Sequence, residues 1–151
     1  FEAQAFCVWD GGYLPTDAEW NAAAAGGDEQ RALPWSVPAG SLVIDPSYAS
    51  YWSMATQCTG SANAGCDVED LMRVGSRPAG NGRWGHADLG GNVWEWVDAW
   101  WNASQKDRVL RGGSFSKHSR SELASSYRRD RSPAVRELDR GFRVVLELPL
   151  P

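Results

Sequence analysis

The chain has 151 residues, 42% of them hydrophobic, which suits one compact domain with its own core. No stretch reaches the roughly 18 apolar residues of a membrane span, so a helical span within it is excluded. The net charge of −4 is unevenly spread: residues 108–143 carry ten Arg or Lys against four Asp or Glu, and the remainder carries five against fifteen. Such a split predicts that the basic segment packs back onto the acidic part. The sharper alternative is a basic surface for an anionic partner. Nucleic acid is not expected, because no binding motif accompanies the arginines.

Nine tryptophans and sixteen glycines point to a loop-rich fold pinned by large aromatics. In chain order, residues 2–9 read as the end of a helix with Ala3, Phe6 and Cys7 on one face, closed by Asp10-Gly11-Gly12. Thr16 and Glu19 then form a capping box for a helix over 17–25, stopped by Gly26-Gly27. Residues 28–82 read as irregular, broken by Pro34, Pro38, Pro46 and Pro78, with a helical turn or two over 67–72 and an exposed loop over 57–66. After the turn at 88–92, Val93 to Val97 alternates like a strand, with Trp94 and Trp96 on one face and Val93, Glu95 and Val97 on the other. A carboxylate between two valines there needs a partner. Val109–Phe115 and Gly141–Leu148 are two further strand candidates, the latter with Phe142, Val144, Leu146 and Leu148 on one face. There is no internal repeat and no linker, so residues 1–151 read as a single domain.

Three cysteines are present. Cys58 and Cys66 flank a Gly/Ser/Asn/Ala-rich stretch, and a disulfide closing that loop implies an oxidising compartment: secreted, periplasmic or cell-surface. Zinc is not expected, because neither His86 nor His118 stands at finger-like spacing. Cys7, among apolar neighbours, reads as a buried, inert thiol. The chain opens without Met and without a recognisable leader, and so reads as a mature, trimmed or incomplete product.

Several segments together resemble the formylglycine-generating-enzyme, or sulfatase-modifying-factor, family. They are Leu14-Pro15-Thr16-Asp17-Ala18-Glu19-Trp20, Pro34-Trp35, Val74-Gly75-Ser76 with Gly80-Asn81-Gly82, Gly91-Asn92-Val93-Trp94-Glu95-Trp96, Arg108-Val109-Leu110-Arg111-Gly112-Gly113-Ser114-Phe115, and Gly141-Phe142-Arg143-Val144. Each is weak alone; six in order across residues 14–144 are specific. The resemblance implies an α+β variant of the C-type lectin fold: irregular, loop-rich, with short antiparallel strands and a few helices. It also implies a further N-terminal portion, missing here or supplied by a second chain, whose strand pairs near the C-terminus.

Catalytic members of the family hold Cu(I) between two cysteines spaced C-x4-C after the Gly-Gly-Ser motif, where soft thiolates suit the low-valent ion. Lys117 and Glu122 stand at those positions. Copper is therefore not expected, and no residue is assigned a catalytic role. Lys117 and Glu122 are expected to pair with each other. The functional alternative is a groove formed by Ser114, Lys117, His118 and Glu122 for an anionic or peptide ligand. Serine hydrolysis through Ser114 and His118 lacks a nucleophile elbow. The resemblance further implies a structural Ca2+ held by the side chains of Asp88 and Glu95 and the carbonyls of Gly91 and Val93, a set of hard oxygens such an ion takes. The competing reading is that Glu95 bonds to backbone amides or to an arginine.

Two functions follow. One is a non-catalytic or catalytically divergent domain, stabilised by calcium, that binds a peptide, protein or small molecule. The other is a metal-dependent oxidative enzyme, formylglycine-generating or sulfoxide-synthase-like, that uses a different metal site or a partner domain.

Overall fold

A computed structural model describes residues 1–55, 57–61, 66–116 and 120–147. Helix α1 spans Glu2–Trp9 and α2 spans Asp17–Ala25. The α2 capping box forms as its sequence requires: Glu19 N–H donates to Thr16 Oγ1, and Glu19 Oε2 accepts from Thr16 N–H at 2.8 Å. Gly26, at φ 68°, ends the helix in the left-handed conformation that favours glycine.

Two short strands, β1 (Trp52–Ser53) and β2 (Gln57–Cys58), make a small antiparallel hairpin. The main sheet contains β3 (Trp94–Trp100), β4 (Arg108–Arg111), β5 (Arg129–Arg131) and β6 (Arg140–Phe142), in the order β5-β4-β3-β6. Both pairings around β4 are antiparallel, whereas β6 runs parallel to β3, with Glu95 opposite Gly141. This return is the one departure from an all-antiparallel expectation. It brings the Gly-Phe-Arg segment alongside Trp94-Glu95-Trp96. Of the expected last strand, Gly141–Leu148, only Gly141 and Phe142 join the sheet, as part of β6; Val145 instead bridges Tyr13. Its expected apolar face does not point inward, since Phe142 and Leu146 are exposed, and Leu148 lies outside the described residues. The expected strand over 109–115 stops at Arg111, because Gly112 and Gly113 take positive φ and turn the chain.

The core has two parts. Trp20 and Ala24 of α2 pack on Leu89, Val97 and Val109. Leu33, Trp35, Ala49, Tyr51 and Leu123 pack under the irregular segment. On α1, Cys7 is the buried residue, while Phe6 faces outward against Trp9 and Phe142. Burial, with Asp10 adding, raises the Cys7 pKa and keeps it a thiol.

The charge split resolves as packing. Arg111 and Arg128 pair with Asp17, Arg108 with Asp98, Arg136 with Glu2, and Arg143 with Glu95. Three of these arginines also lie over tryptophans, Arg108 on Trp100, Arg111 on Trp20 and Arg128 on Trp101, and Arg129 lies over Trp94. No helix among the described residues is long and apolar enough to cross a membrane.

Candidate functional site

The Gly112-Gly113 turn delivers Ser114 to the end of the sheet, where the chain entering β6 brings Asp139. Both groups are buried. Ser114 Oγ donates to Asp139 Oδ2 at 2.9 Å and Ser116 Oγ donates to the same oxygen at 2.7 Å. The two hydroxyls are 3.1 Å apart. Ser116 and Asp139 border a cleft of about 380 Å3 whose walls include Phe115, Leu138, Val68 and Cys66, with Ser114 buried behind them. A disulfide joins Cys58 to Cys66, so the covalent link expected from the sequence forms one edge of this cleft. Asp139 was not singled out from the sequence. Its signal was faint: one acid ahead of the Arg140-Gly141-Phe142 strand.

Glu122, the residue at the second cysteine position, is buried beside a different group. It accepts from Tyr127 Oη at 3.2 Å and lies 3.5 Å from Arg129 Nη1. Burial and then Glu122 raise the Tyr127 pKa, which keeps the phenol protonated as donor. Lys117 and His118 lie outside the described residues, so the expected Lys117–Glu122 pair and those two members of the groove are not described. Of the four expected groove residues, Ser114 lines up with Ser116 and Asp139, and Glu122 stands with Tyr127 and Arg129.

The motif expected to hold calcium is organised around Glu95, which is only 5% exposed. Its carboxylate accepts three N–H donors: Arg143 Nη2 at 2.5 Å on Oε1, with Arg143 Nε and Trp20 Nε1 both at 2.6 Å on Oε2. Arg143 Nη2 also reaches the Ala87 carbonyl at 3.1 Å. Burial opposes the Arg143 charge, but Glu95 and Asp88 outweigh it and raise the pKa. Asp88 Oδ2 accepts from Gly75 N–H at 2.8 Å. Gly91 is required where it stands: at φ 85° a Cβ would meet the Ser50 carbonyl oxygen at 2.4 Å. As arranged, these residues do not fit calcium. A divalent ion on Glu95 would sit against a guanidinium already bound through both carboxylate oxygens. The arginine alternative weighed for Glu95 is the pairing observed.

Copper fares no better on the residues present. The chain has three cysteines, two of which form the disulfide, while the third is buried on α1. No pair of free thiolates remains in it to hold Cu(I).

A family model described as sulfatase-modifying factor enzyme 1-like matches residues 1–148. The formylglycine-generating enzyme of Mus musculus is 33% identical over 134 residues, covering 78% of this chain and 34% of that protein. The inactive C-alpha-formylglycine-generating enzyme 2 of Bos taurus is 35% identical over 119 residues, covering 76% and 36%. The hercynine oxygenase of Mycolicibacterium smegmatis is 30% identical over 169 aligned positions, covering 98% and 36%. The chain thus spans about a third of the length of these curated relatives. Among solved structures, variable protein 1 of Treponema denticola superposes with a TM-score of 0.62 at 30% identity, covering 87% of this chain and 46% of that one. Motifs, fold and relatives agree, and the chain belongs to the sulfatase-modifying-factor family.

Proposed function

We propose that this chain is a catalytically divergent member of its family that acts as a ligand-binding module, with the cleft beside Ser114, Ser116 and Asp139 as its contact surface. The observation that carries the reading is the replacement of the second copper-binding cysteine by Glu122, built into a Tyr127–Arg129 cluster. A carboxylate enclosed there cannot stand in for a soft thiolate. A relative named as inactive supports the same direction. The cleft offers the Ser116 hydroxyl, anchored on the Asp139 carboxylate that Ser114 braces from behind, flanked by Phe115 and Leu138. Such a surface suits a peptide, protein or small ligand with hydrogen-bonding groups beside an apolar portion. The disulfide supports a secreted, periplasmic or cell-surface setting.

A second reading has one observation in its favour: similarity to a hercynine oxygenase runs over 98% of the chain. A divergent oxidative enzyme would then draw its metal from other residues or from a partner domain.

Elemental mass spectrometry of the purified protein separates the two. The binding-module reading expects neither copper nor iron at stoichiometric level. One copper or iron per chain overturns it in favour of oxidative chemistry. Calcium belongs to the first reading only where it draws Glu95 away from Arg143. Comparing the melting temperature in calcium with that in a chelator decides this point, and equal values are expected.

A further inference from the structure

The hairpin between β3 and β4 carries the triplet Asn102-Ala103-Ser104 at its tip. Asn-X-Ser, with X other than proline, is the acceptor pattern for an N-linked sugar in a chain that enters a secretory route. The fold presents this triplet openly. Trp101 N–H donates to the Asp107 carbonyl at 2.8 Å and closes the loop, and residues 102–106 beyond that bond are all exposed. The base of the hairpin is held by Arg108, which pairs with Asp98 at 2.8 Å and stacks on Trp100, 3.7 Å from the ring centroid. Trp94, at the other end of β3, donates its N–H to the Asp139 carbonyl. From there β3 carries the chain about 20 Å to Trp100, at about 3.3 Å per residue. A group attached at Asn102 therefore stands clear of the cleft at Asp139.

The bonding inside the triplet bears on the chemistry. Asn102 Oδ1 accepts twice from Ser104, from the N–H at 2.9 Å and from the hydroxyl at 2.6 Å. An amide nitrogen could accept neither bond, so the backbone donor fixes which side-chain atom is the oxygen. Nδ2, the atom that would take the sugar, makes no hydrogen bond among the described residues. An amide nitrogen is a poor nucleophile until it sheds a proton. Donors on Oδ1 favour the charge-separated form of the amide, whose N–H protons are more readily lost. The bland reading is a side-chain turn that does nothing but shape the hairpin. Aspartate at position 102 would serve that purpose equally, since a carboxylate accepts the same two bonds; only asparagine also brings a nitrogen.

We propose that Asn102 is a site of N-linked glycosylation. This rests on the secreted or cell-surface setting that the Cys58–Cys66 bond supports, and not on the role of the cleft. The donor is a sugar carried on a polyprenyl pyrophosphate, and a membrane-bound transferase brings it to the hairpin tip. Nδ2 forms a bond to the sugar C1 as the C1–O bond to the pyrophosphate breaks. The lipid pyrophosphate leaves with that electron pair, one amide proton passes to a base of the transferase, and nothing is oxidised or reduced. The test is peptide mass spectrometry, with fragmentation, on the protein isolated from the cells that make it. The peptide containing Asn102 should carry a sugar mass on that residue. In the same cells Ser104→Ala and Asn102→Asp should abolish the sugar, and Ser104→Thr should keep it. Asn102→Asp retains an acceptor for both turn bonds, so its loss of sugar does not come from a lost turn. Alkylation without reductant reports the state of the cysteines in the same sample. A bare Asn102 beside an intact Cys58–Cys66 bond overturns the proposal alone; a bare Asn102 with both thiols free overturns the secreted setting along with it. A sugar that persists in Ser104→Ala also overturns the proposal, because the triplet would then not be what is recognised.

Discussion

At the scale of single residues, the centre of the molecule is one carboxylate and the cation that answers it. Glu95 sits between two hydrophobic neighbours on β3, and burial there is tolerable only because Arg143 and Trp20 together supply three donors. Arg143→Met should therefore lower stability by about 3 kcal/mol or more, since it leaves the Glu95 charge buried without its partner. Urea denaturation should show this, and adding Glu95→Leu to that variant should recover part of the loss; full stability of the single variant would deny the pair its role. His86 gives a pH-dependent counterpart. Partial burial, then the nearby Arg143 charge, hold its pKa below the ordinary 6.5. Above pH 6.5 neither the folded nor the unfolded chain protonates it. Below that value the unfolded chain takes the proton first, so this contribution to stability falls with pH. The imidazole is exposed, so the effect is small. His86→Asn should flatten the stability profile between the ordinary pKa and the lower folded one, and an unchanged slope would assign that pH dependence to other groups.

Among the elements, α2 is the one whose sequence and structure agree at every step. Thr16 caps it, Glu19 returns the bond, Gly26 ends it, and Trp20 and Ala24 bury its inner face. Thr16→Ala should cost about 1 kcal/mol, read as a lower denaturation midpoint at unchanged slope. An unshifted midpoint would mean that tertiary packing alone holds the helix start. Such local signals were legible because they depend on residues three or four apart. The Glu95 strand was legible for the same reason: alternation marks it, and a charge within it demands a partner. What the sequence left hidden was long-range. Nothing local shows that β6 runs parallel to β3, that Phe6 and Phe142 meet on the outside of α1, or that Asp139 gathers Ser114 and Ser116. Arg143 as the partner of Glu95 is separated from it by 48 positions, so the need was readable but the residue was not. The family resemblance at Asp88 and 91–95 implied calcium, yet Glu95 closes into an ion pair with Arg143 once β6 is in place.

On the scale of the whole molecule, stability is spread thinly. Two small cores, strands of two to seven residues and a comb of arginines over tryptophans hold a chain rich in turns. In such a fold a covalent cross-link carries weight out of proportion to its size, because little regular structure limits the unfolding of the segment it closes. The Cys58–Cys66 bond spans a separation of eight residues. Closing a loop of that length removes unfolded-state entropy equivalent to about 2–3 kcal/mol. The bond also fixes Cys66 against the cleft that contains Ser116 and Asp139. The double variant Cys58→Ser, Cys66→Ser should thus show two linked effects: a denaturation midpoint lowered by about that amount, and weaker binding at the cleft. Reductant should reproduce both in the unaltered protein and change neither in the variant. Loss of stability with unchanged cleft binding would separate the staple from the site. An unchanged midpoint would place the stability of this region in the packing of Tyr51 and Phe115 instead of in the bond.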